Sequence, residues 1–247
     1  MAKVGIIGGG AMGGWLRREI SHIHQTLTHD IDRSKSDVDL HTLLNWAEVV
    51  IVAVSFWNTA QVLREIAPMS EGKLVMDIST FKEEVAKAYL DYPPHAKVAT
   101  VHPMFGPGAP TLKGQRVLVM EIPGRTGGAE AFRFWKELGA EVEWGDLAKH
   151  DYYVSRTIAL SYAVGLALAR IYEEIGEEAF RYGGTSFRYL ATYAFSLLKD
   201  PSAVRYAELA PVEEFIEALR DKRLPKPLQD PEEAYRKFYK ALASFES

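Results

Sequence analysis

Six residues near the start, Gly8-Gly9-Gly10-Ala11-Met12-Gly13, constrain this chain more than any other stretch. Their G-x-G-x-x-G spacing is weak evidence alone. Here an apolar strand-like run, Val4-Gly5-Ile6-Ile7, leads into it and a helical stretch, Met12–Ile20, leads out. In that setting each glycine has a task. Gly8 lets the chain turn sharply, Gly10 leaves the backbone open to a pyrophosphate, and Gly13 lets the helix pack close to the strand. The helix N-terminus adds free N–H groups and the positive end of a dipole. The same pattern calls for an acid about twenty residues on, and Asp30 closes Leu27-Thr28-His29-Asp30.

A carboxylate there accepts hydrogen bonds from ribose hydroxyls and repels a 2′-phosphate, which favours NAD over NADP. Arg33 and Lys35 follow closely and keep NADP open. Flavin-associated signals are not evident. With strand, helix and acid together, a glycine turn that binds no dinucleotide is the weaker reading. Cofactor contacts are expected from Gly8, Gly10, Ala11, Met12, Gly13 and Asp30, and from Val54 and Ser55 after the third strand.

The rest of the first 145 or so residues continues the strand–helix alternation. Strands are expected at Lys3–Ile7, Gln25–Asp30, Val49–Val54, Leu74–Ile78, Val98–His102, Arg116–Glu121 and near Glu141–Glu143. Helices are expected at Ala11–His22, Asn58–Ile66, Lys82–Leu90 and Gly128–Leu138. Val49–Val54 is apolar without alternation, as in a strand covered on both faces. This implies an α/β fold: a Rossmann-type, mostly parallel sheet domain with right-handed crossovers, at 1–147. Beyond Asp146 the texture turns helical, with stretches at His150–Ile175, Phe180–Leu198, Val212–Arg220 and Pro231–Phe245. A smaller all-α domain is therefore expected at 148–247. Lys222–Pro231 holds three prolines and reads as a loop.

Composition removes whole classes of function. There are no cysteines, so disulfides, thiolate catalysis and cysteine-based metal sites are excluded. Net charge is −4, and no basic stripe suits nucleic acid. The N-terminus lacks the form of a signal peptide, and the longest apolar runs fall short of the ~18 residues that span a bilayer. A cytoplasmic protein with no membrane or nucleic-acid partner is expected. No histidine pair with a supporting carboxylate shows a metal-ligand pattern, so no metal is expected.

Ligands of open α/β sheets sit beyond the carboxyl ends of the strands. Two such ends stand out: Asp77-Ile78-Ser79-Thr80-Phe81-Lys82 and Val101-His102-Pro103-Met104-Phe105-Gly106-Pro107. His102 is expected to leave its strand there, with Pro103 holding its backbone extended. Most of the other six histidines read as surface or cap residues. Thr80 reads as an N-cap, with Glu83 and Glu84 in capping-box range. Left to themselves, His102 reads equally well as a packing residue and Lys82 as a first-turn helix lysine, while Arg188 reads rather as a solvated helix arginine in a surface ion pair.

His102-Pro103-Met104-Phe105-Gly106-Pro107 resembles the signature of the prephenate and arogenate dehydrogenases, which carry out NAD(P)-dependent oxidative decarboxylation leading to tyrosine. The resemblance takes in the glycine fingerprint, Asp77–Lys82, His150-Asp151, Phe187-Arg188-Tyr189 and Lys199-Asp200-Pro201. It implies that His102 is catalytic and bonds the substrate ring hydroxyl. Thr80 stands where the family usually has a serine supporting that hydroxyl. Lys82 matches a lysine near the active site, and Arg188 an arginine that grips a substrate carboxylate. Tyr162 stands where some members carry a histidine, and Ser55 where a proline often follows the third strand. Substrate contacts are thus expected from Arg188, Lys82 and Tyr162, and a homodimer is expected through the aromatic-rich helical domain. The imidazole of His102 is expected to face a bound nicotinamide rather than the interior. No appended mutase or regulatory domain is expected. Competing readings are a reductase of the hydroxyisobutyrate or pyrroline-carboxylate type, which gives the hexapeptide no purpose, and a nucleotide-sensing regulator, which His102 and Arg188 count against.

Overall fold

A computed structural model describes residues Met1–Ala243. The chain divides into two compact units, Met1–Tyr152 and Tyr153–Ser247. The first is built on a seven-stranded sheet in the order β2-β1-β3-β4-β5-β6-β7. The strands are β1 (Lys3–Ile7), β2 (Gln25–His29), β3 (Val49–Val52), β4 (Leu74–Asp77), β5 (Lys97–Pro103), β6 (Arg116–Glu121) and β7 (Glu141–Trp144). Every pairing is parallel except β5 with β6. The chain order reverses between β1 and β3, which makes their carboxyl ends the switch point where open sheets bind ligands.

Alternation along the strands builds two cores. On one face Val4, Ile6, Ile51, Met76, Ala99 and Val101 meet Trp15, Leu16 and Ile20 of α1 (Ala11–Ile20) and Phe134 and Trp135 of α5 (Gly128–Glu137). On the other, Ile7, Val50, Val52 and Val75 meet α2 (Leu40–Trp46), α3 (Phe56–Ile66) and α4 (Glu83–Leu90) through Leu43, Leu44, Leu63, Ile66, Val85 and Tyr89. The helix α2 is absent from the sequence reading. Asp39 starts it, its carboxylate accepting from the Thr42 amide at 2.9 Å. The strand β5 extends through Pro103, so His102 is a strand residue paired with Leu118 rather than one that has left the sheet.

The second unit is helical. A helical segment of 29 residues, Leu147–Ile175, contains α6 (Leu147–Val154), a turn of π-helix at Ser155–Ala159 and α7 (Leu160–Ile175). By length and composition it could cross a membrane, contrary to the expectation that no stretch would. A helix at a soluble core or subunit interface passes the same test, and this one carries Lys149, His150, Asp151 and Arg156. The expected helix Phe180–Leu198 is two helices, α8 (Glu178–Tyr182) and α9 (Thr185–Ser196). Gly183-Gly184 separates them because two glycines disfavour helix and because the Phe187 ring lies where a Cβ on Gly183 would fall, 2.0 Å away. Arg181 and Arg188 therefore do not share one helical face. α10 (Ala203–Ala207), α11 (Val212–Arg220) and α12 (Pro231–Ala243) complete the unit. Of the expected helix Pro231–Phe245, Ser244 and Phe245 lie outside the described residues. Buried positions here are mostly small: Ala159, Gly165, Ala169, Ala179, Ala191, Ala194 and Ala203.

Candidate active site

Two groups of residues gather at the carboxyl edge of the parallel strands. Ile7, Val52, Asp77 and Thr100 lie in one register row, so Gly8 and His102 both stand just beyond it on the same edge. With β3 and β4 between them, β1 and β5 are about 14 Å apart at ~4.8 Å per strand spacing.

The first group is a cavity of about 460 Å³ at the switch point. Gly8, Gly10, Asp30, Val54 and Ser55 line it, joined by His29, Asn58 and Val62, which the sequence did not single out. Gly8 has φ +106°, and a Cβ there would meet the Ala53 carbonyl oxygen at 2.6 Å. A Cβ on Gly13 would fall 1.8 Å from the Gly8 oxygen, which is why α1 can begin so close to β1. Gly10 differs: a Cβ there would touch no protein atom. The fold does not require that glycine, so its bareness serves whatever occupies the space. Gly10 and Ser55 start α1 and α3, and neither start has a side-chain cap. Two helix N-termini thus keep amide donors and positive dipole ends for a ligand.

Asp30 is held on the rim. Its Oδ2 accepts from the Gly9 amide at 2.6 Å and its Oδ1 from the Asp32 amide at 2.8 Å. Lys35, read as a possible phosphate ligand, pairs with Asp32 at 3.0 Å. Ala11 and Met12 are not in the cavity wall; Met12 packs against the α1 face of the core. These features fit a dinucleotide: a bare turn for phosphate, uncapped helix starts, and a carboxylate at the second strand's end.

The second group centres on His102, which is 4% exposed. Its Nδ1 lies 2.9 Å from Nε2 of His150, itself 5% exposed. His150 Nδ1 lies 2.8 Å from Asp151 Oδ1. Asp151 also accepts from the backbone amides of Lys82 and Glu83, each at 2.9 Å, and so caps α4. The ring of His102 is therefore more enclosed than expected, with one nitrogen committed to protein. Among the described residues nothing hydrogen-bonds its Nε2, and that atom is not one of the unpaired polar atoms sealed from solvent. Burial, then the neighbouring Lys82 and His150, hold the His102 pKa well below the usual imidazole value, so the ring is neutral at pH 7. Burial also works against ionisation of Asp151, but the hydrogen bonds from His150 and the two amides outweigh it and its pKa lies below the usual carboxylate value.

Several expectations change here. His150, which had no role of its own in the sequence reading, is a buried partner of His102. Thr80 is half-buried but does not cap α4; Lys82 is the N-cap residue and Asp151 supplies the carboxylate. The Lys82 ammonium does not reach outward for substrate. It is 1% exposed and donates to Asp77 Oδ2 at 3.0 Å and to the Val101 carbonyl at 2.8 Å, beside His102.

Tyr162 and Arg188 belong to the second unit. The Tyr162 hydroxyl donates to Asp200 Oδ2 at 2.9 Å, so the expected substrate contact is tied instead to the Lys199-Asp200-Pro201 turn. Burial and this bond push the Tyr162 pKa up. Arg188 lies near the start of α9 at an exposed position.

The family model described as prephenate dehydrogenase, nucleotide-binding domain, matches residues 19–143. The chain belongs to the prephenate dehydrogenase family. A Methanocaldococcus jannaschii protein named "Probable arogenate/prephenate dehydrogenase" is 32% identical over 136 residues, which are 52% of this chain and 30% of that protein. The T-protein of Enterobacter agglomerans is 31% identical over 136 residues, 52% of this chain and 35% of its own length. The match thus spans about a third of these family relatives. Among solved structures, one named as a prephenate dehydrogenase from Corynebacterium glutamicum has a TM-score of 0.74 at 21% identity, covering 98% of this chain and 90% of that one. Prephenate dehydrogenase from A. aeolicus, solved with hydroxyphenyl propionate and NAD+, has a TM-score of 0.70 at 18% identity, covering 99% and 94%. These two likenesses give the Rossmann-type sheet followed by helices.

Proposed function

We propose that the chain is an NAD-dependent prephenate dehydrogenase, converting prephenate to 4-hydroxyphenylpyruvate and CO2 in tyrosine biosynthesis. The observation that carries this is the pairing, on one sheet edge, of a cavity of about 460 Å³ at Gly8–Gly10 with a neutral imidazole at His102 whose Nε2 has no hydrogen-bond partner among the described residues. Bound NAD supplies the two-electron acceptor. Asp30 receives its adenosine ribose hydroxyls, and the amides at the starts of α1 and α3 receive its phosphates. Val54 and Ser55 line the surrounding wall, and Ala11 and Met12 contribute only as the first turn of α1, whose amides face the phosphates.

His102 Nε2 accepts the ring hydroxyl proton as hydride leaves the carbon bearing that hydroxyl. The electrons of the ring–carboxylate bond move into the ring, CO2 departs, and aromatisation drives the step. Thr80 supports the hydroxyl. Arg188 holds a substrate carboxylate through a two-pronged charged contact that lysine could not reproduce. Lys82 positions the site through Asp77 and Val101, and Tyr162 shapes the second unit through Asp200.

Arogenate differs from prephenate by an amine in place of the side-chain keto group, and the Methanocaldococcus jannaschii relative is named for both substrates. Steady-state rates with both substrates and with NAD and NADP separate these readings. Reduced nicotinamide formed fastest with prephenate and NAD supports the proposal; no product from any combination rules it out.

We also propose a cytoplasmic homodimer formed through the helical unit. Ile171, Ile175, Phe180, Tyr189, Leu190 and Leu198 are exposed, apolar side chains that the unit's alanine-rich interior does not absorb and that a second copy would cover. Sedimentation equilibrium giving a monomer mass would exclude the dimer.

A further inference from the structure

We infer that His150 is a positioning residue that fixes which nitrogen of His102 carries the proton, holding His102 Nε2 bare toward the substrate. This rests on the reading of His102 as the base. The argument begins at Asp151, because its chemistry has no ambiguity. Its carboxylate accepts from two backbone amides, Lys82 and Glu83, as the cap of α4. An ionised carboxylate only accepts hydrogen bonds. The His150 Nδ1 facing it at 2.8 Å must therefore carry a hydrogen.

Neutral His150 then has a bare Nε2. That atom faces His102 Nδ1 at 2.9 Å, so His102 must donate across this contact and carry its own hydrogen on Nδ1. Its Nε2 is left with a lone pair. Each ring has one proton and one acceptor, and the direction of every bond follows from the carboxylate. The opposite order would put a second proton on His150 and the hydrogen of His102 on Nε2, where it could not accept from a hydroxyl. Lys82, with its ammonium beside Val101, is the group whose charge opposes an additional proton on His102.

The same chain of bonds serves the reaction. When His102 Nε2 accepts a proton, its Nδ1–H already points at an acceptor, and that acceptor's far side already points at a carboxylate. The imidazolium forms without its neighbours having to reorganise. The cap on α4 anchors the relay, since Asp151 is fixed by the backbone of the segment that carries Lys82 and Thr80.

The test reads the tautomer directly, using the full chain without substrate. Long-range nitrogen–proton correlation spectra of the histidine rings are recorded for the wild type, His150→Gln and His150→Leu, with signals assigned by His102→Gln. The expected wild-type result is a neutral His102 protonated at Nδ1. His150→Gln retains an acceptor near the former Nε2 and keeps that tautomer. His150→Leu removes the acceptor, and His102 shifts toward Nε2–H. In turnover, His150→Leu lowers kcat by about 10–100-fold, part of the ~10²–10⁴ a general base contributes. KM changes less than about twofold, and His150→Gln recovers most of the loss. A wild-type His102 protonated at Nε2 overturns the inference, as does a folded His150→Leu that keeps the Nδ1–H form. If His150→Leu does not fold, the wild-type and His150→Gln spectra still decide. Absence of dehydrogenase activity would refute the functional reading but leave the tautomer result standing, so the two failures are distinguishable.

Discussion

Replacing Lys82 by methionine tests the buried pair under the active site. The ammonium and the Asp77 carboxylate are 3.0 Å apart, with side chains 1% and 0% exposed. Methionine keeps the length and apolar stem but removes the charge. Asp77 would keep the Ser79 amide at 2.8 Å and the Tyr89 hydroxyl at 3.2 Å, but no cation. Removing one member of a buried pair costs ~3–5 kcal/mol, because the other charge stays behind. The two surviving donors place this case near the lower end, about 3 kcal/mol. At ~2–4 °C per kcal/mol for a unit of this size, the melting transition of the first unit should fall by about 6–12 °C. Calorimetry of the cofactor-free protein measures it. The double variant Lys82→Met with Asp77→Asn, which leaves no stranded charge, should recover more than half of the loss. A fall of less than about 2 °C in the single variant, or no recovery in the double, would refute the reasoning.

The two glycines of the turn should separate by experiment. Gly10→Ala meets no protein atom and should leave the melting temperature unchanged while weakening NAD at least about tenfold by isothermal titration; Gly13→Ala, driven into the Gly8 carbonyl at 1.8 Å, should lower both stability and affinity. Asp30→Ala should raise the NADP-to-NAD ratio of kcat/KM on the order of tenfold, about 1.4 kcal/mol; an unchanged ratio removes Asp30 from cofactor choice. Because the folded pKa of His102 lies below the unfolded value of about 6.5, the unfolded chain binds a proton below that pH which the folded chain refuses. The associated stability is complete above pH 6.5 and declines as pH falls, by at most ~1.4 kcal/mol per unit. His102→Gln should flatten the melting curve against pH between about 6.5 and 5, and parallel curves would contradict this.

Strands of the parallel sheet were legible because burial on both faces leaves its mark locally, as in Val49-Val50-Ile51-Val52. The acid at Asp30 and the glycines were legible because their spacing follows from the turn itself. Short elements were not. α2 is seven residues long, too short for a helical period, and its best signal was Asp39 with Thr42 behind it. Phe180–Leu198 read as one helix because its aromatics and alanines suit one, while the break falls at Gly183-Gly184, where the packed Phe187 ring leaves no space for a side chain on Gly183. In the site, His102 could be found from its hexapeptide. Its partner could not, since the cap joins Asp151 to a helix start 69 residues earlier, and no local pattern announces such a contact. The inward turn of the Lys82 ammonium was missed although Asp77 lies only five residues before it, because spacing alone does not say whether a lysine at a helix start faces its own strand end or solvent.

The central claim, that His102 is the proton acceptor of an oxidative decarboxylation, is tested most directly by His102→Asn in a prephenate–NAD assay followed at the reduced-nicotinamide absorbance band. The account predicts a kcat lower by ~10²–10⁴, with NAD affinity and melting temperature near those of the wild type. A variant that turns over prephenate at the wild-type rate would contradict it.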